Sequence, residues 1–288
     1  MAIFNVTKHA LLPKAFNKKQ GVDFFETFSP VLKISTIRAI LALAANSVSD
    51  SSLFYYRNPN VELYLLVYVD DILLTGNNHH KVKNIITQLK QYFSLKSLGS
   101  MTDFLGFEIT QGAYDIHLSQ GKYMTDLLRK TNMLKCKSSP TPISQGENLS
   151  TGDSKIFHQP TIFQSVMGGL QYLTLSRPDI AFTTVCKRLL RYLRGTIGLV
   201  FKPSNHWAVE CFSDADWAGS SDDRKSTAGY CVYLGGNLIT WCSKKQKAIA
   251  KSSTEVEYRV LSHTATEMAW MHSLFEELGL NHKVPAVN

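Results

Sequence analysis

Residues 63–76 read LYLLVYVDDILLTG, an apolar run interrupted by two adjacent aspartates, Asp70 and Asp71. Adjacent carboxylates repel, and a solvated turn can use Asn or Gly without that cost. A divalent ion removes the repulsion. Paired acidic oxygens that hold Mg²⁺ against phosphate oxygens are the working parts of two-metal nucleotidyl transfer, with ions roughly 4 Å apart. The pattern alone leaves two readings open, a tight turn built on two aspartates or half of a metal site.

A second acidic constellation lies in VECFSDADWAG (209–219). Strand alternation puts Phe212, Asp214 and Asp216 on one face and Cys211, Ser213, Ala215 and Trp217 on the other. Two acids on one strand face call for a cation or for water. From Ser253 to Leu278 the residues Val256, Val260, Leu261, Met268, Met271, Leu274, Phe275 and Leu278 fall in one broad helical stripe, and Glu257 falls within it. A carboxylate on a buried face must be neutral, paired or metal-bound; the alternative is an open sheet end where it meets water or a lysine. Glu255 projects to the opposite side.

Two basic groups admit a similar choice. Lys187, Arg188, Arg191 and Arg194 share one face of a short helix whose other face is Leu189, Leu190 and Leu193. Such a face grips phosphates or is simply solvated. SKKQKAIAK, with Lys244, Lys245 and Lys247, is a solvated basic loop or a strip beside a nucleic-acid backbone. His206, His263 and His272 show no ligand spacing.

The elements that must position these groups are legible as periodicity. Apolar residues on both sides of the aspartates predict a hairpin of two buried strands with the acids at its tip. KVKNIITQLKQYF places Val82, Ile85, Ile86, Leu89 and Phe93 at helical spacing, and GFEITQGAYDIHLS reads as two short strands around a turn. STAGYCVYLGG and NLITWCSKK read as strands joined through Gly235, Gly236 and Asn237, which with the preceding strand makes a three-stranded meander. Between the two periodic regions, residues 138–160 are rich in Ser, Pro, Thr and Gly and predict a linker.

At 288 residues and 44% hydrophobic content, one large or two modest domains can bury a core. The longest strongly apolar stretch, 63–69, is far short of a bilayer span, and the first residues lack the layout of a signal peptide, so the expectation is a soluble intracellular protein, cytoplasmic or nuclear, without a membrane partner. The five cysteines form no C-x-x-C pair, so neither a zinc cage nor a disulfide framework is suggested. A net charge of +8 and a pI near 9.1 favour polyanionic partners.

YVDD within LLVYVDDILLTGNN resembles the polymerase hairpin of reverse transcriptases, specifically those of copia-type LTR retrotransposons. The blocks KAFNKKQGVDFFETFSPVLKISTIRAILALA, FLGFEIT, LSQGKYMTDLLRK and LQYLTLSRPDIAF resemble successive blocks of that Pol polyprotein in the same order, over nearly the whole chain. The resemblance implies an α+β or α/β chain: a partial reverse-transcriptase palm and connection region (14–135), a linker (136–160), a helical connection (161–203) and an incomplete RNase H-like domain (204–288). It implies Asp70 and Asp71 as two of three polymerase metal ligands, Asp214 and Glu257 as RNase H catalytic and metal-binding residues, and Asp216 and Arg224 in the same motif. The cofactor implied is Mg²⁺ or Mn²⁺, and the partners are RNA, DNA and RNA–DNA hybrid, with Lys187, Arg188, Arg191, Arg194, Lys244, Lys245 and Lys247 as nucleic-acid contacts.

The sequence also departs from that pattern. The family's third polymerase carboxylate sits between blocks that here are nearly fused through AANSVSD, and the acidic residues before the hairpin are Asp23, Glu26, Asp50 and Glu62. The family's next RNase H aspartate follows the helix and a proline, where this chain stops at VPAVN, so the covering strand is expected to be missing and the sheet edge open. A further internal loss is expected between DIAFTTVC and KRLLRYLRG. The expectation is a transposon-derived chain, internally deleted and impaired as both polymerase and nuclease, that retains weak, salt-sensitive binding of nucleic acid and Mg²⁺. Its alternatives are a non-catalytic nucleic-acid-binding protein and a non-functional relic.

Overall fold

The computed structural model describes residues 7–11, 45–46, 48–68, 71–92, 95–100, 102–104, 106–142, 160–182, 186–195, 198–280 and 286–287. The block 14–44, Val69 and Asp70 at the expected hairpin tip, Phe93 and most of the expected linker (143–159) lie outside the described residues. The chain divides into two compact units, Met1–Phe104 with Ser273–Gly279, and Leu105–His272 with Leu280–Asn288.

The first unit is built on strands β1 (Thr7–Leu11), β2 (Ala45–Asn46), β3 (Leu53–Asn58), β4 (Val61–Tyr68), β5 (Asp71–Gly76) and β6 (Leu95–Ser100), with helix α1 (His79–Tyr92) between β5 and β6 and a two-residue strand β7 (Asp103–Phe104) after them. The strands form one sheet in the order β2-β3-β4-β5-β1-β6. Period-two alternation sets its buried face: Leu63 and Leu65 on β4, Ile72 and Leu74 on β5, with Leu65 directly opposite Leu74. Phe54, Val61 and Val82 complete this core, and Ile85 and Ile86 pack against it, as the helical spacing of α1 predicts. The β3–β4 turn is held by Asn58, whose Oδ1 accepts the N–H groups of Asn60 and Val61 at 3.1 and 2.7 Å. Gly76 ends β5 where a Cβ would meet Glu62 O and Leu63 Cδ2 at 2.5 Å, so the close approach of β4 and β5 requires glycine there.

The second unit opens with β8 (Phe107–Gln111) and β9 (Ile116–Ser119), the expected short hairpin, and β9 pairs antiparallel with β10 (Leu199–Phe201). Between β9 and β10 run α2 (Gly121–Lys130), α3 (Pro160–Leu173), a 3₁₀ turn (Pro178–Ile180) and α4 (Cys186–Leu193). They share a core of Leu127, Leu128, Val166, Leu170, Leu173, Ile180, Leu189, Leu190 and Leu193. Leu193 has no exposed surface, and full burial of such a side chain stabilises by about 1.5–3 kcal/mol.

The unit continues with β11 (Val209–Ala215), β12 (Thr227–Leu234) and β13 (Asn237–Lys245), the antiparallel meander the pattern predicts, followed by α5 (Ser253–Glu277), which belongs to this unit as far as His272. The β12–β13 turn uses Gly235 and Gly236 at φ +56° and +79°, the left-handed region a two-residue hairpin turn demands. Two expectations are corrected here. The outer edge of β11 is not left open: β14 (Ala286–Val287) pairs with it in parallel, Ala286 opposite Glu210 and Val287 opposite Cys211, giving the order β13-β12-β11-β14. The apolar stripe of α5 is also narrower than the sequence suggests. Val256, Val260, Thr264, Met268, Met271 and Phe275 are buried, whereas Leu261 and Glu257 are exposed.

Candidate functional site

The first candidate is the β4–β5 hairpin. Tyr68 pairs with Asp71, and Asp71 opens β5, half-buried, with the β1 residue Ala10 on its other side. The buried alternation of Leu63, Leu65, Ile72 and Leu74 fixes this register, because a one-residue slip would turn every apolar side chain to the wrong face. Asp70 lies outside the described residues. Of the carboxylates weighed as a third ligand, Asp50 caps a turn, its Oδ1 accepting the N–H and Oγ–H of Ser52 at 2.9 and 2.6 Å. Glu62 pairs with Arg57 at 3.1 Å. Asp23 and Glu26 lie outside the described residues.

The second candidate is the β11–β13 sheet with α5. Cys211, Val232, Tyr230 and Cys242 share one sheet face by register, and a cavity of about 690 Å³ is lined jointly by Tyr230 and Cys242 and by Val260 and His263 of α5. The helix therefore covers that face. Asp214, three residues beyond Cys211, sits on the opposite face with Phe212, exposed, in a broad depression of about 610 Å³ that Trp241 and Cys231 also line. Its Oδ1 accepts the N–H of Ala215 at 2.8 Å.

The expectation that Glu257 lies on the buried face of the helix is overturned. The buried positions repeat at 256, 260, 264, 268, 271 and 275, and Glu257 stands about 100° further round the helix from Val256. It is exposed, so no desolvation cost compels it to find a partner. Glu255 is half-buried and engaged, accepting the Lys251 N–H at 2.7 Å and pairing with Arg259 at 2.5 Å. Among the described residues no group of three or more His, Cys, Asp or Glu side chains is gathered as for a metal ion. Asp214 and Glu257 are each present and exposed, and no such group includes them.

Asp216 is hydrogen-bonded within its own loop. Its backbone N–H donates to Thr227 O at 3.0 Å and its Oδ1 accepts the Thr227 N–H, which ties the end of β11 to the start of β12. Ser226, fully buried, takes the Ala218 N–H at 2.9 Å, and Trp217 Nε1 reaches Ala250 O at 3.3 Å. Ala218 and Arg224 hold φ of +53° and +52° within this closed loop.

The basic groups divide. Of the four basic residues on and just after α4, three are engaged by residues 136–141. Arg188 donates to Thr141 O and Oγ1 at 3.2 and 2.7 Å, Arg191 Nε to Lys137 O at 2.9 Å, and Arg194 Nη1 to Cys136 O. Ser139, buried, returns an N–H to Arg191 O at 3.2 Å. The first residues of the expected linker, 136–141, are thus a strap docked along the basic helix, and the arginine face holds backbone carbonyls. In the β13 loop Lys245 pairs with Asp223 at 2.7 Å and Ser220 Oγ at 2.8 Å, and this hydrogen-bonding holds the Asp223 carboxyl well below the usual range. Lys244 and Lys247 are exposed at the mouth of the cavity beneath α5.

One cluster is absent from the sequence reading. Arg177, only 4% exposed, makes a two-pronged pair with Asp179 at 2.9 and 2.5 Å, and its guanidinium lies 5.3 Å from the Tyr192 ring centre. Burial by itself would raise the Asp179 carboxyl, but hydrogen bonds from Arg177 and Tyr192 outweigh it and hold it below its ordinary value. The signal was the SRPD stretch itself: an Arg two residues before an Asp, with proline fixing the backbone between them.

Residues 48–145 match a family model described as reverse transcriptase (RNA-dependent DNA polymerase). Over 98% of its length the chain is 34% identical to the retrovirus-related Pol polyprotein of transposon RE1 from Arabidopsis thaliana, covering 25% of that protein. It is 29% identical to the Pol polyprotein of transposon TNT 1-94 from Nicotiana tabacum over 96% of this chain and 28% of the relative. An uncharacterized mitochondrial protein of Arabidopsis thaliana is 42% identical over 72% of this chain and 94% of its own length. The chain thus spans about a quarter of the Pol polyproteins it matches. The RE1 alignment runs over 373 positions against 288 residues in the chain, so at least 85 positions fall opposite gaps here.

Proposed function

We propose, from the premise that this chain belongs to the retrovirus-related Pol polyproteins of copia-type transposons, that it is a reverse transcriptase/RNase H derivative which binds nucleic acid and is impaired in both chemistries. The observation that carries this is the hairpin that opens β5 with Asp71 opposite Tyr68, inside the segment with reverse-transcriptase homology. An RNase H-like reading of residues 204–288 is supported by the succession of three antiparallel strands, a long helix and a parallel strand back beside β11, with Asp214 on that central strand.

Reverse transcriptases generally use divalent metal ions. At the second site the described residues do not form a two-ion centre: neither Asp214 nor Glu257 belongs to a group of three or more His, Cys, Asp or Glu side chains among the described residues, and at the hairpin Asp70 lies outside them. In-line transfer and two-ion hydrolysis both need ions fixed on opposite sides of the reacting phosphate. Impairment is further supported by the 85 or more gapped positions and by the local roles of Asp50 and Glu62. The partners are RNA, DNA and their hybrid, and the place of action is intracellular, in cytoplasm or nucleus. Any Mg²⁺ or Mn²⁺ bound at Asp71 or at Asp214 is held weakly.

The test is Mg²⁺- and Mn²⁺-dependent cleavage of a labelled RNA–DNA hybrid by the folded chain beside Asp214→Asn, with primer extension in parallel. Hybrid binding without cleavage or extension is the expected result. Cleavage that disappears in Asp214→Asn would overturn the impairment and make the chain a nuclease.

A further inference from the structure

Two stretches that no catalytic role absorbs, LSQGKY and LSRPDIAF, meet at one small cavity. Gln120 and Ser176, 56 positions apart, are 3% and 1% exposed, and Ser176 Oγ donates to Gln120 Oε1 at 2.7 Å. The other end of that amide, Nε2, is buried with no hydrogen-bond partner. Gln120 lines a cavity of about 180 Å³ together with Ser119, Gly121, Ser176, Arg177 and Gly198, backed by Leu173 and Leu193.

The polar lining is rich in donors. Gln120 is the N-cap of α2 yet its side chain makes no cap, and Gln120 and Gly121, at the start of that ten-residue helix, both line the cavity. Glu108 Oε1 takes one N–H of that turn, from Lys122, at 2.7 Å. The pair with Asp179 uses two of the five N–H groups of Arg177. Gln120 Oε1 is taken by Ser176 and the Asp179 oxygens by Arg177, while the second oxygen of Glu108 lies beside Gly121. A water would satisfy Nε2 but bring two hydrogens needing acceptors of their own, whereas an oxyanion offers acceptors only. One water fills about 30 Å³, so the cavity has room for a tetrahedral oxyanion.

We propose that this cavity is an oxyanion subsite that takes one phosphate group, with Gln120 Nε2 and the N-terminus of α2 as its principal donors. The group belongs either to free phosphate or to a nucleotide or polynucleotide, and the site stands apart from the metal reading above.

The test uses the full chain with the side-chain amide of Gln120 followed by ¹H–¹⁵N NMR. Inorganic phosphate, a 5′-phosphorylated dinucleotide and the same dinucleotide without that phosphate are titrated into the millimolar range, with chloride at matched ionic strength as the reference. The expected result is a saturable shift of the Nε2 protons with phosphate-bearing ligands. In Gln120→Glu, which keeps an acceptor for Ser176 but replaces the donor with a carboxylate oxygen, affinity should fall about tenfold or more, the loss of one charge-assisted hydrogen bond. A shift with inorganic phosphate assigns the free ion as sufficient, and a shift only with the phosphorylated dinucleotide assigns a nucleic-acid source. Should the wild-type amide fail to move with any of them, or move equally with chloride, the proposal is wrong. Equal affinity in a folded Gln120→Glu chain would also overturn it. The same wild-type titration tests the reversed amide orientation, whose orphaned carbonyl an oxyanion would not shift.

Discussion

Replacing Arg188, Arg191 and Arg194 together by lysine keeps every positive charge on α4 but removes the planar forks that hold the strap 136–141. The structure gives four side-chain bonds from these residues to strap atoms. A hydrogen bond in water is worth about 0.5–1.5 kcal/mol net, and because these are exposed the lower half of that range applies. Four such bonds, with partial rescue by the new ammonium groups, give about 2 kcal/mol, which raises the population of undocked strap by roughly thirtyfold. Limited trypsin digestion reads this directly, since Lys135 and Lys137 flank and enter the strap; amide exchange at Ser139, whose N–H goes to Arg191 O, reads it independently. Faster nicking and faster exchange, with hybrid affinity at fixed salt nearly unchanged, are expected. Unaltered strap protection together with a sharp loss of hybrid affinity would refute the reasoning and return these arginines to phosphate binding.

Leu193→Ala should cost about 2–5 kcal/mol in urea unfolding, because the side chain is fully enclosed in the α2–α4 core; a cost under 1 would mean the site collapses freely. Gly236→Ala should cost about 1–2 kcal/mol from its left-handed backbone alone, since a Cβ there meets nothing, while Gly235→Ala should cost more because its Cβ would meet His206 O and Ser204 at 2.7 Å. Asp179 has a lowered carboxyl pKa, so its contribution is full above the ordinary carboxylate range near pH 4 and fades as pH falls through the lower folded value; Asp179→Asn should flatten the acid limb of the wild-type stability curve. Tyr230 moves the other way: burial first, then the charge of Glu267, push its hydroxyl up to about 12, so its contribution is intact below pH 10 and is lost between about pH 10 and 12, a loss that Tyr230→Phe should abolish.

Elements whose signal is local were legible in the sequence. The β4–β5 hairpin, the β8–β9 hairpin, the β11–β13 meander, α1 and α5 follow from periods of two and 3.6 and from a Gly-Gly turn. Glu257 was misplaced because a stripe drawn broadly enough to include Leu261 also includes its neighbour four residues earlier, and only packing shows that both face solvent. Strand β14 is two residues long, too short to carry a period, and is defined by the partner it finds. The clamp that Arg188, Arg191 and Arg194 place on the strap, and the Gln120–Ser176 pair, join positions about fifty apart, so neither composition nor spacing announces them. A basic helix face looks the same on paper whether its acceptors are phosphates or the chain's own carbonyls.

Three of the four bonds in that clamp end on main-chain oxygens, which every residue type supplies. The strap is therefore recognised without being read. Its side chains at Lys137 and Ser138 are free to drift under mutation while its path stays fixed, and the burden of constancy falls on the arginines, where most codon changes remove the fork. In a saturation library scored for folding, tolerance and intolerance should separate along these lines, with Thr141, which adds its hydroxyl, intermediate between them.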